Sequence, residues 1–296
     1  MIPMSVQRAD IGHDSTQLYL DLLKRSLTDY LHIDRGFADK REVLLQQGFM
    51  PKDFLVNALV RLLRLRRMRL YYIRNQRFDL ATKRRKREEG KDYPDAAETM
   101  IGMKRMDNIQ ACIESVLQRD VPGDFLEAGV WRGGATIFMR GILQAYGVKN
   151  RTVWVADSFE GLPPPDAQYP VDQGDTHHLY DELRVSLDDV KANFEKYGLL
   201  DDQVCFLKGW FDKTLYTDSI KRLAVLRLDG DMYGSTLTTL EALYDKVSPG
   251  GFVIVDDYMS LRCCQQAVDD FRAKTGITDE ILPIDWSGVY WQKRMP

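Results

Sequence analysis

Cysteine is scarce. The four, at 112, 205, 263 and 264, show no CxxC spacing, and two of them are neighbours. A vicinal pair is a poor structural staple, so reduced thiols in a cytoplasmic protein are the simplest account. Long apolar runs are missing too. None reaches the roughly 20 residues of a membrane span, and the opening MIPMSVQRADIGHD has no apolar signal core. Charge of one sign is not in excess: 41 Lys and Arg face 44 Asp and Glu, a formal net charge of -3. No overall attraction to nucleic acid follows. Internal repeats and low-complexity tracts are absent. So is the GxGxxG of pyrophosphate-binding dehydrogenases, which speaks against an NAD enzyme.

What is present is ordinary for a globular chain, 44% hydrophobic and 29% charged. At 296 residues it can hold one large α/β domain and a smaller appendage. The most informative stretch is RLAVLRLDGDMYGSTLTTLEALYDKVSPGGFVIVDDY, residues 222–258. Leu223–Leu228 is an apolar run ending in Asp229 and Asp231. Ser235 to Val247 carries helical spacing, Ser248-Pro249-Gly250-Gly251 reads as a stop and turn, and Phe252–Val255 is a second apolar run ending in Asp256-Asp257. A strand–helix–strand crossover makes the strands parallel and brings both acidic ends to one sheet edge, where open α/β folds bind ligands. Carboxylates there repel by roughly 4 kcal/mol for a pair about 4 Å apart at an effective dielectric near 20. Either they fan out into water as ordinary loop residues, or a hard divalent cation such as Mg²⁺ holds them.

Earlier in the chain, 15–33 reads as a helix with Ser15 as a cap and a stripe from Leu18 to Leu31. Residues 52–75 read as an amphipathic helix with a basic face, and further bases follow at Arg77 and Lys83–Arg87. Such a helix can lie on an anionic surface, but Tyr71-Tyr72 favours packing on its own domain or a dimer partner. Glu88–Asp92 reads as a hinge, and 95–119 as a helix striped by Met100, Met103, Met106, Ile109, Ile113 and Val116. This segment directly precedes the first sheet strand, where a lid can lie.

Phe125–Leu126 reads as a strand ending at Glu127-Ala128-Gly129. The tight turn Arg132-Gly133-Gly134 then opens a helix from Ala135 to Tyr146. Such a turn lets a ligand approach the backbone closely. Its E-x-G spacing resembles motif I of S-adenosylmethionine-dependent methyltransferases. Thr152–Ala156 reads as the next strand, ending in Asp157, an acid placed to accept both hydroxyls of a ribose. A proline-rich loop follows and carries His177-His178, which serve as metal ligands or bases, or are simply solvated. Ser186–Tyr197 reads as a helix and Gln203–Leu207 as a strand. Beyond it, Gly209-Trp210-Phe211 sets an aromatic that can stack on adenine or join the core. The tail fits a helix over 264–274 and a closing strand pair near 281–284 and 288–291.

Taken together, QLYLDLLKRSLTDY, KDYPDAAETMIGMKR, VPGDFLEAGVWRGGATIFMRGILQAY, RTVWVADSFEG, YGLLDDQVCFLKGWF, LAVLRLDGDMYGST, SPGGFVIVDDY and GVYW resemble the macrocin/mycinamicin-type sugar O-methyltransferases of macrolide biosynthesis, with the novobiocin sugar enzyme as a cousin. The likeness covers roughly three-quarters of the chain. It implies a Rossmann-like class I methyltransferase fold: a mostly parallel seven-stranded sheet with one antiparallel strand, preceded by an N-terminal helical extension. On this basis 1–92 is expected to be a helical region with a basic insertion at about 34–77, and 93–296 the methyltransferase domain. The implied reaction is Mg²⁺-assisted methyl transfer from S-adenosylmethionine to a deoxysugar hydroxyl of a small glycoside. Catechol methylation is the main alternative, because vicinal phenols also chelate Mg²⁺. The resemblance places Asp229, Asp256 and Asp257 on the metal and makes Asp231 the base. It puts Glu127, Gly129, Trp131, Ala135, Asp157, Ser158, Gly209 and Trp210 on the cofactor, under a lid at Met100-Ile101. Tyr93, Met100, His177 and Tyr180 face the sugar. A cytoplasmic homodimer is implied as well. The chain departs from the pattern at 34–77, which has no counterpart in the compact macrolide enzymes, and at Thr176-His177-His178.

Overall fold

Residues 11–34, 37–38, 72–73 and 79–294 are described in a computed structural model of the chain. Seven strands form one sheet: β1 (Asp124–Ala128), β2 (Val153–Asp157), β3 (Val204–Lys208), β4 (Leu223–Leu228), β5 (Val247–Val255), β6 (Leu282–Pro283) and β7 (Val289–Gln292). Their spatial order is β3-β2-β1-β4-β5-β7-β6. β1 to β5 run parallel, and β7 is antiparallel to both of its neighbours. The mostly parallel sheet with one reversed strand is therefore as expected. Around it lie α1 (Ile11–Leu27), α2 (Leu80–Glu88), α3 (Met103–Gln118), α4 (Gly134–Ala145), α5 (Leu187–Lys196), α6 (Tyr233–Leu243) and α7 (Arg262–Thr275).

Each central strand is apolar on both faces because helices cover both. Phe125 of β1, Val225 of β4 and Ile254 of β5 face α1, α3, α4 and α5, in a core with Leu23, Ile109, Phe138 and Phe194. Leu126, Leu226 and Val253 face the other way, toward Leu240 and Leu243 of α6 and Val268 and Phe271 of α7. The alternation follows from the two-residue period of a strand. α1 contributes Leu20, Leu23 and Leu27 to the first core, three and seven residues apart on one helical face. Among the described residues no helix is long and apolar enough to cross a membrane.

Several expected boundaries move. Helix α1 starts at Ile11, so Ser15 sits inside it and not at its cap. The expected basic helix at 52–75 lies outside the described residues except for Tyr72–Ile73. Those two form a strand antiparallel to Phe37–Ala38, not helix. The expected helix over 95–119 begins only at Met103. Before it, the backbone of 95–99 is held by partners from elsewhere. Arg132 Nη1 donates to the carbonyls of Asp95 and Ala97, each at 2.7 Å, and Gly134 N donates to Glu98 O at 2.9 Å. A main chain satisfied by tertiary partners has no need of helical bonds. Ser248-Pro249-Gly250-Gly251 is not the stop and turn expected after the helix: the helix ends at Leu243 and the strand starts at Val247. The stretch lies within β5 as an irregularity: Leu223 pairs with Val247, and two residues later Val225 pairs with Phe252.

Candidate active site

Strand register assembles the site. Ala128 of β1 lies beside Leu228 of β4, and Leu228 beside Val255 of β5. The next residues along, Gly129, Asp229 and Asp256, therefore come level at the C-terminal edge, with Asp157 at the end of β2. The strand order reverses between β1 and β4, so this is the topological switch point where such sheets bind ligands. Three non-glycine residues with left-handed backbones lie in the loops at this edge: Trp131 (φ 49), Phe159 (φ 58) and Asp231 (φ 57). Such conformations cost of order 1–3 kcal/mol each and cluster at functional sites.

Asp229, Asp231 and Asp257 converge, each offering a carboxylate oxygen within 4.8 Å of the others. Burial and then repulsion from Asp256 push Asp229 up to about 6. Asp231 is pushed up to about 7 by burial and by Asp229, and Asp257 rises well above the carboxylate range by burial and Asp231. Oδ2 of Asp257 is buried without a hydrogen-bond partner. Hard oxygen donors, an orphaned buried oxygen and mutual repulsion together fit a divalent cation.

Asp256 stands apart from that trio. One of its oxygens is held by Arg227 of β4 and the other by Arg105 of α3. It reaches a cation by exchanging one of these partners or through a lone pair that they leave open. Arg227 also grips Glu127 and lies 2.9 Å from Asp229. Despite the cost of burial, Asp256, Asp229 and Glu127 keep its guanidinium charged. Glu127 is itself raised to about 8, chiefly by burial.

On the cofactor side, Asp157 accepts from Val130 N at 2.8 Å and Phe159 N at 2.7 Å. A carboxylate has about four lone-pair sites, so it can bind these loops and still accept from a diol. Burial raises its pKa, against those N–H donors. Trp131 donates its indole N–H to Glu182 O at 2.8 Å, and the Arg132 guanidinium stacks 4.1 Å from its ring centre. Ser158 donates to Gly161 O at 2.7 Å. Trp210 is 38% exposed. Gly129 has φ +90, and a Cβ there would overlap the carbonyl of Asp229. Its glycine is thus demanded by close approach of two loops of the protein itself.

These residues line a cleft of ≈ 2580 Å³ together with Met100, Ile101, Tyr93, His177, Tyr180 and the aspartates. Three residues expected on the cofactor do not line it. Ala135 is buried in the core, Glu127 is turned to Arg227, and Gly209 packs near Thr214. Ile101 reaches the cleft while also packing in the core. Tyr93 is 64% exposed. His177 is oriented by Asp175, Nδ1 to Oδ2 at 2.7 Å, with the Tyr180 ring edge-on at 5.6 Å.

Sequence reasoning missed Arg105, Arg227, Asp172 and Trp286. The first two pair with site carboxylates, and Arg105, Asp172 and Trp286 line the cleft. Arg227 had a signal, since it is the one charge inside the apolar run LAVLRL. Arg105 was masked by the methionine stripe around it.

The family described as Macrocin-O-methyltransferase (TylF) matches residues 16–293. The mycinamicin III 3''-O-methyltransferase of Micromonospora griseorubida is 46% identical over 281 residues, covering 94% of this chain and 96% of that one. The 8-demethyl-8-(2,3-dimethoxy-alpha-L-rhamnosyl)-tetracenomycin-C 4'-O-methyltransferase of Streptomyces olivaceus is 54% identical, covering 94% of each. The solved structure of the O-methyltransferase NovP is 44% identical with a TM-score of 0.77, covering 95% of this chain and 100% of that one. The sheet is that of a class I methyltransferase, a fold that implies S-adenosylmethionine as methyl donor. With family and fold in agreement, this chain belongs to the macrocin-O-methyltransferase (TylF) family and is an O-methyltransferase.

Proposed function

We propose that this enzyme methylates a hydroxyl of a deoxysugar in a natural-product glycoside, using S-adenosylmethionine and Mg²⁺. The observation that carries the reading is the convergence of Asp229, Asp231 and Asp257 at the floor of a cleft beside Asp157 and Trp131. The cleft, at ≈ 2580 Å³, is larger than the roughly 300–1,000 Å³ of a single small-molecule site. That suits a nucleoside cofactor and a glycoside side by side. By name, the relatives above act on mycinamicin III at its 3'' oxygen and on a rhamnosyl-tetracenomycin at its 4' oxygen.

When bound, S-adenosylmethionine offers an electrophilic methyl on sulfur, and Mg²⁺ stabilises negative charge on a hydroxyl oxygen. Asp229 and Asp257 would hold the cation, and Asp256 too, by exchanging its Arg105 ion pair. A sugar hydroxyl holds its proton too tightly to attack unaided. Asp231, in the same cluster but fixed by its own left-handed backbone, takes that proton at its carboxylate. Such help is typically worth about 10² to 10⁴ in rate. Asp157 accepts the ribose hydroxyls, Trp210 flanks the base, and Met100-Ile101 cover the cofactor. Tyr93, His177 and Tyr180 meet the acceptor. The same reading takes the enzyme as a cytoplasmic homodimer, with residues 1–92 a helical region on a methyltransferase domain of 93–296.

The test is methyl transfer to a rhamnosyl glycoside and to a catechol in parallel, each with Mg²⁺ and with a chelator. Mg²⁺-dependent methylation of the glycoside alone supports the reading. Methylation of the catechol alone would sink the sugar acceptor and leave the metal chemistry standing.

A further inference from the structure

The loop between β2 and α5 is fastened to the site at two points. At one end, Trp131 Nε1 holds the carbonyl of Glu182. At the other end stands Asp172, which closes a single helical turn Pro170–Asp172 and is 3% exposed. Its Oδ1 accepts from Tyr233 N at 2.8 Å and its Oδ2 from Gly234 N at 3.0 Å. Those are the first free amides of α6, whose N-cap residue, Met232, has no side-chain oxygen to offer. A helix start is normally satisfied by the residue just before it. Here the acceptor comes from a loop 61 residues away.

Two further contacts fit the loop to the same place. Tyr169 packs its ring 5.3 Å from that of Tyr233. Gly234 leaves room for it, since a Cβ there would lie 2.8 Å from two atoms of the Tyr169 ring. The helix seized in this way begins two residues after Asp231. The loop's free span, between Asp172 and Glu182, carries the cleft residues His177, Leu179 and Tyr180.

We infer that Asp172 is a positioning residue that locks the acceptor-binding loop to the peptide bearing Asp231, so that acceptor and base are set by one joint. The role rests on the acceptor-loop reading above. Cofactor binding does not pass through this joint, because Asp172 bonds the start of α6, whereas Asp157 and Trp131 stand at the two ends of the loop, at the close of β2 and against Glu182, and Trp210 follows β3.

The experiment compares Asp172→Ala, Asp172→Asn and Gly234→Ala with the wild type. S-adenosylhomocysteine binding is measured by calorimetry and loop protection by hydrogen exchange. Turnover is measured with the rhamnosyl-tetracenomycin acceptor of the Streptomyces olivaceus enzyme. Asp172→Ala is expected to raise the acceptor KM at least tenfold and to speed exchange across 175–181, with S-adenosylhomocysteine affinity within twofold of wild type. Asp172→Asn, which keeps one acceptor oxygen, falls between. Gly234→Ala, which removes no charge and only displaces the Tyr169 ring, loosens the same span. Wild-type protection of 175–181 in both Asp172→Ala and Gly234→Ala would overturn the proposal. So would an exchange increase spread evenly over the sheet together with lost cofactor binding, the mark of a purely structural residue. If the wild type fails to methylate this acceptor, the acceptor assignment is what fails, and hydrogen exchange still decides the role of Asp172.

Discussion

Arg227 is 1% exposed and sits in a strand whose every residue is buried. Its charge is tolerated only because Glu127, Asp229 and Asp256 surround it. Removing one partner of such a buried cluster leaves the others uncompensated, at a cost of about 3–5 kcal/mol. Arg227→Met is therefore expected to lose about that much stability in urea unfolding. A loss below about 1 kcal/mol, the level of an exposed pair, would contradict the account of the cluster. Asp231 makes a different case. Its φ of 57 is one that Asn also adopts with little strain. Asp231→Asn should keep the fold, S-adenosylhomocysteine binding and Mg²⁺ binding, while turnover falls by about 10² to 10⁴. Full turnover by this variant would rule out Asp231 as the base.

At the scale of elements, what could be read from the sequence was what periodicity and crossover rules determine. The run Leu223–Leu228, the helix after it and the run ending at Val255 prescribe parallel strands, and parallel strands bring Asp229, Asp231 and Asp257 together. Local pattern could not show Arg105, because it meets Asp256 across 151 residues. Nor could it show that 95–102 is not helical, because that depends on Arg132 and Gly134 seizing its carbonyls. The Ser-Pro-Gly-Gly stretch has every turn signal and still runs inside a strand, since β5 bulges out its extra residues against β4 as a register shift.

Elements are also fastened by charge. Arg140 of α4 is buried and bonds Asp201 beyond α5 at 3.0 and 2.5 Å. Its hydrogen bond holds the Asp201 carboxyl below the usual range. A lowered acid stabilises the fold above its unfolded pKa of about 3.9, and that contribution fades as pH falls through the lowered folded value. Asp201→Asn should thus melt below wild type by a constant margin from pH 7 to about 5, a margin that narrows below about 4. A margin unchanged at pH 3 would exclude this linkage.

At the scale of the whole molecule, among the described residues, helices bury both faces of the sheet and leave a wide cleft at its C-terminal edge. The thiols report on that packing. Burial pushes Cys112 up to about 12 and Cys264 well above its ordinary value. All four cysteines are free. In native protein near pH 8, Cys112 and Cys264 should resist alkylation, and all four should react in denaturant. Native labelling of Cys112 at the denatured rate would show the first core to be open.

The most direct test is calorimetric titration of S-adenosylhomocysteine, then of Mg²⁺, into wild type, Asp157→Ala and Asp257→Asn. The expected result is cofactor binding by the wild type that is lost in Asp157→Ala. A Mg²⁺ signal should be lost in Asp257→Asn while its cofactor binding persists. Absence of S-adenosylhomocysteine binding in the wild type, or undiminished Mg²⁺ binding by Asp257→Asn, would contradict the site as drawn.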